Sequence, residues 1–218
     1  MMESDRYSFY CSQLDEVTKK YRNLKPRLDE KGLTYLKGIL DIPNDSGEIE
    51  GSFLIEIHFK SGFPYRFPEL FETGGIIPKE ADWHKYANGS CCITVPPDEI
   101  LKCRNGITVL HFVTQFAVPY FANYLYRIRE GRYLNGEYAH NVLGLAQFYT
   151  DLLGTSDQTK WVHYFKCTFH NEKVGCERND QCFCNSGKKY KHCHLEAFNN
   201  LRLIGEQVVK NDLIKICL

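Results

Sequence analysis

Apolar and polar residues alternate in the first third of the chain. Every second position within residues 52–60 is Phe or Ile, with mainly polar or charged residues between them. This period of two is typical of a half-buried strand. Residues 33–42 form a second candidate strand, a turn rich in Asn, Asp, Ser and Gly follows at 43–47, and residues 69–73 supply a third strand. The pattern predicts an antiparallel β-meander.

A helical periodicity, with apolar residues three and four positions apart, precedes this alternation. It covers residues 7–24 and predicts one amphipathic helix that ends before Pro26. Residues 95–104 are instead predicted to be irregular, because Pro96 and Pro97 exclude a regular helix. We therefore expect a helix before the meander and an irregular loop after it.

Three later segments also have helical periodicity. The first covers residues 105–126 and contains Pro119, which is expected to kink or divide it. The second covers residues 140–153, and residues 154–159 are expected to form a linker. The third, at residues 195–214, is predicted to be a single closing helix.

Length and composition indicate one main domain with a small appended module. A chain of 218 residues can bury one core and still carry such a module, and we predict domains at residues 1–154 and 158–218. The 27 basic and 27 acidic residues balance, and no cationic run is dense enough to indicate nucleic-acid binding. Since neither an apolar run of ~18 residues nor a secretory leader is present, we expect a soluble, cytoplasmic protein that binds no membrane.

The cysteines are distributed unevenly, and five of the ten lie between Cys167 and Cys193. Reduced thiols and a metal explain this clustering better than a secreted disulfide scaffold does. Cys182 and Cys184, followed by Cys193 and His194, have the ligand types of a closed tetrahedral zinc site. This run, with its S-G-K-K-Y-K centre, resembles the SEC-C motif, which implies a small module held by structural zinc.

Metal binding is expected to contribute much of the folding free energy of this module, roughly 10 kcal/mol or more in comparable peptides. Metal removal should therefore loosen the chain beyond about residue 158 and leave the first domain folded. Cys167, His170 and Cys176 could form a second metal site, although three ligands at loose spacing more often belong to core packing.

Two adjacent cysteines, Cys91 and Cys92, follow an Asn-Gly turn in the sequence D-W-H-K-Y-A-N-G-S-C-C-I at residues 82–93. A thiol at the end of a loop is partly exposed and can reach its thiolate form, whereas one within a helix or strand is usually inert. The stretch F-P-Y-R-F-P at residues 63–68 ends the strand before this loop. The loop is therefore a candidate site for nucleophilic chemistry.

The order of these features resembles the ubiquitin-conjugating enzyme family over about residues 35–153. The similarity rests on the strands, the F-P-x-x-F-P stretch, the histidine-containing loop and the sequence G-S-C-C-I at residues 89–93. It implies an α+β fold with an N-terminal helix, an antiparallel meander, an active-site loop and C-terminal helices. It also implies a catalytic nucleophile at Cys92, with Cys91 as the alternative.

The family's His-Pro-Asn tripeptide corresponds here to His84, Lys85 and Tyr86, so the asparagine that supports the oxyanion is missing. The resemblance implies a catalytic role for His84, and Asn88 is the candidate to replace the missing amide in space. Such support matters, because one oxyanion donor is worth roughly 3 to 4 kcal/mol.

By this resemblance the protein is an enzyme that carries a protein C-terminus as a thioester and passes it to an amine. The shortened loop, together with G-E-Y-A-H at residues 136–140, resembles the bacterial members found in antiviral CBASS operons more than it resembles eukaryotic ones. The implied acyl donor is a cGAS-like nucleotidyltransferase or a ubiquitin-like protein, activated by a separate activating enzyme or by a shorter route. The alternative is a noncatalytic adaptor that uses the fold and the zinc module only to bind proteins.

Overall fold

The computed structural model describes residues 2–133 and 141–217. The G-E-Y-A-H stretch at residues 136–140 lies outside the described residues, as does the first position of the helix predicted at 140–153. Within the described part of the chain, no helix combines the length and the apolar character needed to cross a membrane.

The chain forms two compact units, and each is assembled from two separate segments. The first unit comprises Met1–Thr94 and Asn105–Glu137, and the second comprises Val95–Arg104 and Tyr138–Leu218. The domain limits proposed from the sequence, 1–154 and 158–218, stay a prediction.

A four-stranded antiparallel sheet in the order β1-β2-β3-β4 forms the centre of the first unit, which confirms the α+β class and the meander. The strands are β1 (Leu24–Leu28), β2 (Thr34–Pro43), β3 (Ile49–His58) and β4 (Glu69–Glu72). The alternating residues Phe53, Ile55 and Ile57 of β3 are at most 1% exposed, because their face of the sheet meets the core. Ile57 lies opposite Leu36 of β2 and Leu70 of β4.

The prediction of one helix over residues 7–24 was wrong in its extent. Two helices, α1 (Glu3–Ser12) and α2 (Leu14–Lys20), are separated at Gln13, and Leu24 already begins β1. The side-chain oxygen of Gln13 accepts the N–H of Val109 at 2.7 Å, a contact between distant parts of the chain. Pro26 lies inside β1, which is possible because β1 is an edge strand and needs no donor on its outer side.

Helices complete the first unit after the sheet. They are α4 (Val109–Phe112), a π-helical segment (Val113–Ala117) and α5 (Val118–Glu130). The π turn directly precedes Pro119, which lacks the N–H for a regular helical bond, so the predicted interruption at this proline is confirmed. Thr108 caps α4, since its hydroxyl oxygen accepts the N–H of His111 at 3.0 Å.

The second unit is helical. It contains α3 (Pro96–Lys102), α6 (Asn141–Leu153), α7 (Gln158–Phe169), α8 (His194–Ile204) and α9 (Glu206–Cys217). Its core is rich in aromatic side chains, including Tyr149, Trp161 and Phe198, each at most 2% exposed. Ile100 and Leu101 of α3 pack against this core.

Two predictions for the second unit were wrong. Residues 95–104 contain helix α3, because Pro96 and Pro97 occupy its first turn, where a proline's missing N–H costs no helical hydrogen bond. The closing segment is two helices, since Gly205 separates α8 from α9 with φ 95° and ψ 144°, outside helical space. Helix α7, capped by the Asp157 side chain, was not predicted.

Candidate functional site

The two adjacent cysteines lie on the returning arm of a short hairpin, residues 84–92. Its turn is closed by the N–H of Tyr86, which donates to the Ser90 carbonyl at 2.9 Å, and by that of Gly89, which donates to the Tyr86 carbonyl at 2.8 Å. Gly89 adopts φ 90°, so the predicted Asn-Gly turn depends on a glycine here. The N–H of Cys92 donates to the His84 carbonyl at 2.7 Å and joins the arms at their base.

Neighbouring residues of an extended arm project to opposite sides, and this separates the two thiols. The N–H of Cys91 donates to the Leu70 carbonyl of β4 at 2.7 Å, which fixes the hairpin beside the sheet. Burial raises the pKa of Cys91 to about 12, even though a hydrogen bond with the Tyr120 hydroxyl acts in the other direction. Cys91 is therefore a poor nucleophile near neutral pH.

Cys92 has different surroundings. It is half-buried, as Cys91 is, but the hydroxyl of Tyr86 donates to its sulfur at 3.1 Å. Burial raises the pKa of the Cys92 thiol, and the Tyr86 hydrogen bond partly offsets that effect. Tyr86 is 53% exposed, so this contact lies near the surface of the first unit.

Sequence reasoning missed Tyr86 as a site residue, although it occupies the third position of the tripeptide compared with His-Pro-Asn. Its contact with Cys92 depends on the register of the hairpin: Lys85 pairs with Cys91, so residues 86 and 92, each one position further along, lie on the same face. A phenolic hydroxyl is a hydrogen-bond donor, as an amide is, so it can supply what the missing asparagine would.

The side chain of Asn88 is engaged within the turn itself. Its carbonyl oxygen accepts the N–H of Ser90 at 3.0 Å and the Ser90 hydroxyl at 2.8 Å. Asn88 therefore shapes the turn, and its predicted role as an oxyanion donor stays a prediction.

His84 contributes to the site through its backbone. It adopts φ 51°, and its carbonyl oxygen accepts both the N–H of Cys92 and, at 2.9 Å, the hydroxyl of Tyr120. Its ring packs edge-on against Tyr133, with the centroids 5.2 Å apart. The catalytic role predicted for the His84 side chain also stays a prediction.

A buried ion pair lies behind the hairpin, and sequence reasoning did not find it. Lys85 donates to the carboxylate of Glu72 at 2.5 Å and to the Ile77 carbonyl at 3.0 Å. Both side chains of the pair are at most 1% exposed. The same carboxylate accepts the N–H groups of Ile76 and Ile77 at 3.3 Å, so the pair connects β4, the following loop and the hairpin.

The second site is the cysteine cluster near the C-terminus. Cys193 Sγ lies 3.5 Å from Cys184 Sγ and 3.2 Å from His194 Nδ1, and Cys182 Sγ lies 3.3 Å from the same nitrogen. Zinc bonds of about 2.3 Å to sulfur and about 2.0 Å to nitrogen place tetrahedral ligands about 3.5 to 3.8 Å apart. All four ligand atoms lie within 4.8 Å of one another, so these residues are positioned to bind a metal.

Local backbone structure brings the four ligands together. The N–H of Cys182 donates to the Lys188 carbonyl at 2.8 Å. The chain reverses direction between these two residues, where Asn185 and Gly187 have φ values of 58° and 73°. A 3₁₀ turn (Tyr190–His192) comes next, and Cys193 and His194 follow it at the start of α8.

A hydrogen bond outside the cluster orients the histidine. His194 Nε2 lies 3.1 Å from the Leu153 carbonyl, which fixes Nδ1 as the nitrogen that points at the cysteines. Burial lowers the pKa of His194, which favours the neutral imidazole that a metal requires.

The thiols of the cluster differ in acidity. Burial raises the pKa of Cys182 to about 11. For Cys184 burial acts in the same direction, but hydrogen bonds from Ser186 and the other cysteines outweigh it and lower the pKa to about 7. The Cys184 thiol is therefore more acidic than the Cys182 thiol.

The three residues suggested as a second metal site have different neighbours. His170 lies 3.1 Å from the carboxylate of Glu206, whereas Cys167 groups with His163 and Glu172. Asp98 and Glu99, which the sequence places close behind the cysteine pair, belong to helix α3 of the second unit, where Asp98 pairs with Lys102.

Comparison with known proteins supports one of the two sites. None of the curated proteins compared matches this chain. Residues 178–196 match the SEC-C motif family, and this segment contains all four ligand residues of the cluster. The chain therefore carries a C-terminal SEC-C motif whose cysteines and histidine are positioned to bind a metal.

Proposed function

We propose that the protein is a cysteine-dependent acyl transferase of the ubiquitin-conjugating type, with Cys92 as its nucleophile. One observation carries this proposal: the half-buried Cys92 sulfur lies at a hairpin surface with the Tyr86 hydroxyl 3.1 Å away. A nucleophilic thiol and a neighbouring donor are the two groups that transfer through a thioester requires.

In the first step, the Cys92 thiolate attacks the carbonyl carbon of an activated protein C-terminus. A sulfur–carbon bond forms, and the thiol or other leaving group of the activated donor departs with the electron pair of the broken bond. In the second step, an amine of the target attacks the same carbon, loses a proton to solvent and expels the Cys92 thiolate. Both steps pass through an oxyanion, to which the Tyr86 hydroxyl donates a hydrogen bond.

The raised pKa of Cys92 suits a carrier. A less acidic thiol is a poorer leaving group, so its thioester survives water longer and reacts when an amine is held beside it. Positioning of the amine then supplies most of the acceleration, and no strong general base is needed. The buried ion pair of Lys85 and Glu72 supports this role, because it fixes the position of the hairpin beside β4.

The donor and the setting follow from the resemblance to bacterial members of the family. The donor is a cGAS-like nucleotidyltransferase or a ubiquitin-like protein, activated by a separate enzyme or by a shorter route, and the process is CBASS antiviral defence in the bacterial cytoplasm. The order of strands, hairpin and cysteine pair supports the resemblance itself.

The SEC-C cluster binds zinc with a structural role in this proposal. Its three sulfurs and one imidazole suit zinc, and four protein ligands complete a tetrahedron. The ion holds the start of α8 against the chain at residues 182–188 and takes no part in the transfer chemistry.

The test is thioester formation by the full chain with its donor and activating partner from the same operon. We expect a higher-mass adduct that dithiothreitol removes, its absence in Cys92→Ala, and a more stable ester adduct in Cys92→Ser. Cys91→Ala is the matched control and should retain the adduct. Adduct formation by Cys92→Ala would reject this nucleophile, and its absence in every variant and in the wild type would favour the noncatalytic adaptor.

The role of Tyr86 is tested by single-turnover discharge of the thioester to an amine. Tyr86→Phe removes only the hydroxyl and should slow discharge about 100-fold, the lower range for one oxyanion donor. Tyr65→Phe, at a tyrosine 51% exposed, is the control and should leave the rate unchanged. An unchanged rate in Tyr86→Phe would assign the oxyanion to backbone donors, His84 or Asn88.

A further inference from the structure

We propose a second metal site in this protein, formed by His163, Cys167 and Glu172 and distinct from the SEC-C cluster. Cys167 Sγ lies 3.5 Å from Nε2 and 3.9 Å from Nδ1 of His163, and Nδ1 lies 3.4 Å from the carboxylate of Glu172. One ligand atom from each residue lies within 4.8 Å of the others. The ligand would be a zinc-type divalent cation.

The local fold explains why these three side chains meet. His163 and Cys167 are four positions apart on α7, so they project from the same face of the helix. Beyond the end of α7, Asn171 adopts φ 57° and reverses the chain, and the N–H of Glu172 then donates to the Lys166 carbonyl at 3.4 Å. The carboxylate is thereby brought back over the last turns of the helix.

The distances fit a cation. A tetrahedral zinc ion places sulfur, nitrogen and oxygen ligands about 3.4 to 3.7 Å apart, close to the separations around His163 Nδ1. The sulfur is the buried ligand, since Cys167 is 7% exposed, whereas the other two side chains are about half exposed. A cation can therefore enter from solvent and meet the thiol at the inner end of the site.

Charge also favours a cation here. A thiolate and a carboxylate repel each other, and a divalent ion between them replaces that repulsion by attraction. Sulfur, imidazole and carboxylate together are ligands of borderline softness, which suits zinc, cobalt or nickel better than calcium or magnesium. Three protein ligands leave one position for water or for a ligand from another molecule, unlike the closed SEC-C cluster.

The simpler explanation is a surface ion pair between His163 and Glu172. In that arrangement, Lys166 contributes a second positive charge at 3.8 Å from Glu172, and the Cys167 thiol points to the Lys173 carbonyl at 3.7 Å. The two explanations differ in the role of the sulfur, because an ion pair does not need it and a metal site does.

The experiment counts zinc ions bound to the full chain after equilibration with a zinc buffer, by elemental analysis. We expect two ions per wild-type chain and one in Cys167→Ser and in His163→Gln. His170→Ala is the control, since His170 lies near the same end of α7 but pairs with Glu206, and it should retain two. His163→Gln changes an exposed side chain, so its result does not depend on refolding of the core.

Cobalt provides a second readout. In the cobalt-loaded protein, the thiolate-to-metal absorption should fall by about a quarter in Cys167→Ser, because one of four thiolate ligands is lost. A wild-type ratio of one ion, with that ion lost on replacement of Cys184, would overturn the proposal and leave the SEC-C site intact as a conclusion. An unchanged ratio of two in His163→Gln would overturn it as well.

Discussion

Lys85 and Glu72 form an ion pair that is buried in the first unit. Both side chains are at most 1% exposed, and each makes further hydrogen bonds to the loop at Ile76 and Ile77. A buried ion pair adds little net stability, but the loss of one partner leaves the other charged and desolvated. The pair therefore determines the position of the hairpin and adds little to the free energy of unfolding.

We predict that Lys85→Met destabilises the protein by about 3 to 5 kcal/mol, measured by urea unfolding. The double variant Lys85→Met with Glu72→Gln should recover part of this loss, because glutamine is neutral and its amide oxygen can still accept one of the two N–H groups, which bond to separate carboxylate oxygens. Lys79→Met, at an exposed lysine seven positions from Glu72, is the control and should change stability by less than about 0.5 kcal/mol. A double variant as unstable as Lys85→Met would contradict this account.

The two adjacent thiols should also be distinguishable by alkylation. Burial raises the pKa of both, and for Cys91 to about 12, so each reaches its reactive thiolate form only at higher pH than an ordinary thiol. As the pH rises above neutral, iodoacetamide should label Cys92 before Cys91, as read by peptide mass spectrometry, with the exposed Cys217 as the reference thiol. Labelling of Cys91 before Cys92 would move the proposed nucleophile to Cys91.

Residues whose partners are near in sequence could be predicted, and residues with distant partners could not. The four SEC-C ligands lie within residues 182–194, so their spacing alone identified a group that the structure brings together. The contact of Tyr86 with Cys92 requires the register of the hairpin, and the pairing of Lys85 with Glu72 requires its position beside β4. Neither register nor position is visible in composition or periodicity.

At the scale of elements, alternation predicted β2, β3 and β4, while two of the prolines and one glycine were misread. Pro26 lies within an edge strand and Pro96 begins a helix, although each was taken as the end or absence of a helix. Their effect depends on whether the missing N–H faces a hydrogen-bond partner, and that is decided by neighbouring strands and turns. At Gly205 the apolar pattern continues on both sides of the residue, so periodicity did not show that one helix ends there and another begins.

We predict that Gly205→Ala destabilises the second unit by about 1 to 3 kcal/mol, because φ 95° with ψ 144° is a region used almost only by glycine. A Cβ at Gly205 meets no atom within 4 Å, so backbone strain is the sole cost. Gly154→Asn is the control: φ is 64° there, which asparagine tolerates, and its cost should be smaller. Equal stability of Gly205→Ala and wild type by thermal unfolding would show that α8 and α9 can join.

At the scale of the whole molecule, each compact unit is built from two separated segments of the chain. Helix α3 belongs with residues 138–218, and it packs against α8, whose first residue is the ligand His194. The sequence offered no sign of this, because the apolar residues of α3 are few and its prolines suggested a loop. The metal cluster is thereby connected to more of the chain than its own 13 residues.

We predict that removal of metal by a chelator increases hydrogen exchange in α8 and also in α3 and α6, while the strands of the first unit stay protected. The physical reason is that His194 bonds the Leu153 carbonyl at the end of α6, and that α8 packs against α3. Replacement of Cys184 by serine should have the same effect without chelator, and Cys11→Ser is the control. Increased hydrogen exchange only beyond residue 158, with none in α3 or α6, would contradict this prediction.

The passage of the chain into the second unit and back also has a consequence for synthesis on the ribosome. Roughly 90 residues separate α3 from α8. At a synthesis rate of roughly 5 to 20 residues per second, α8 is made on the order of 5 to 20 seconds after α3. During that time Ile100 and Leu101, which pack against the second core in the finished protein, have no core to cover them. The nascent chain therefore leaves these two apolar side chains uncovered until the helices of the second unit have been made.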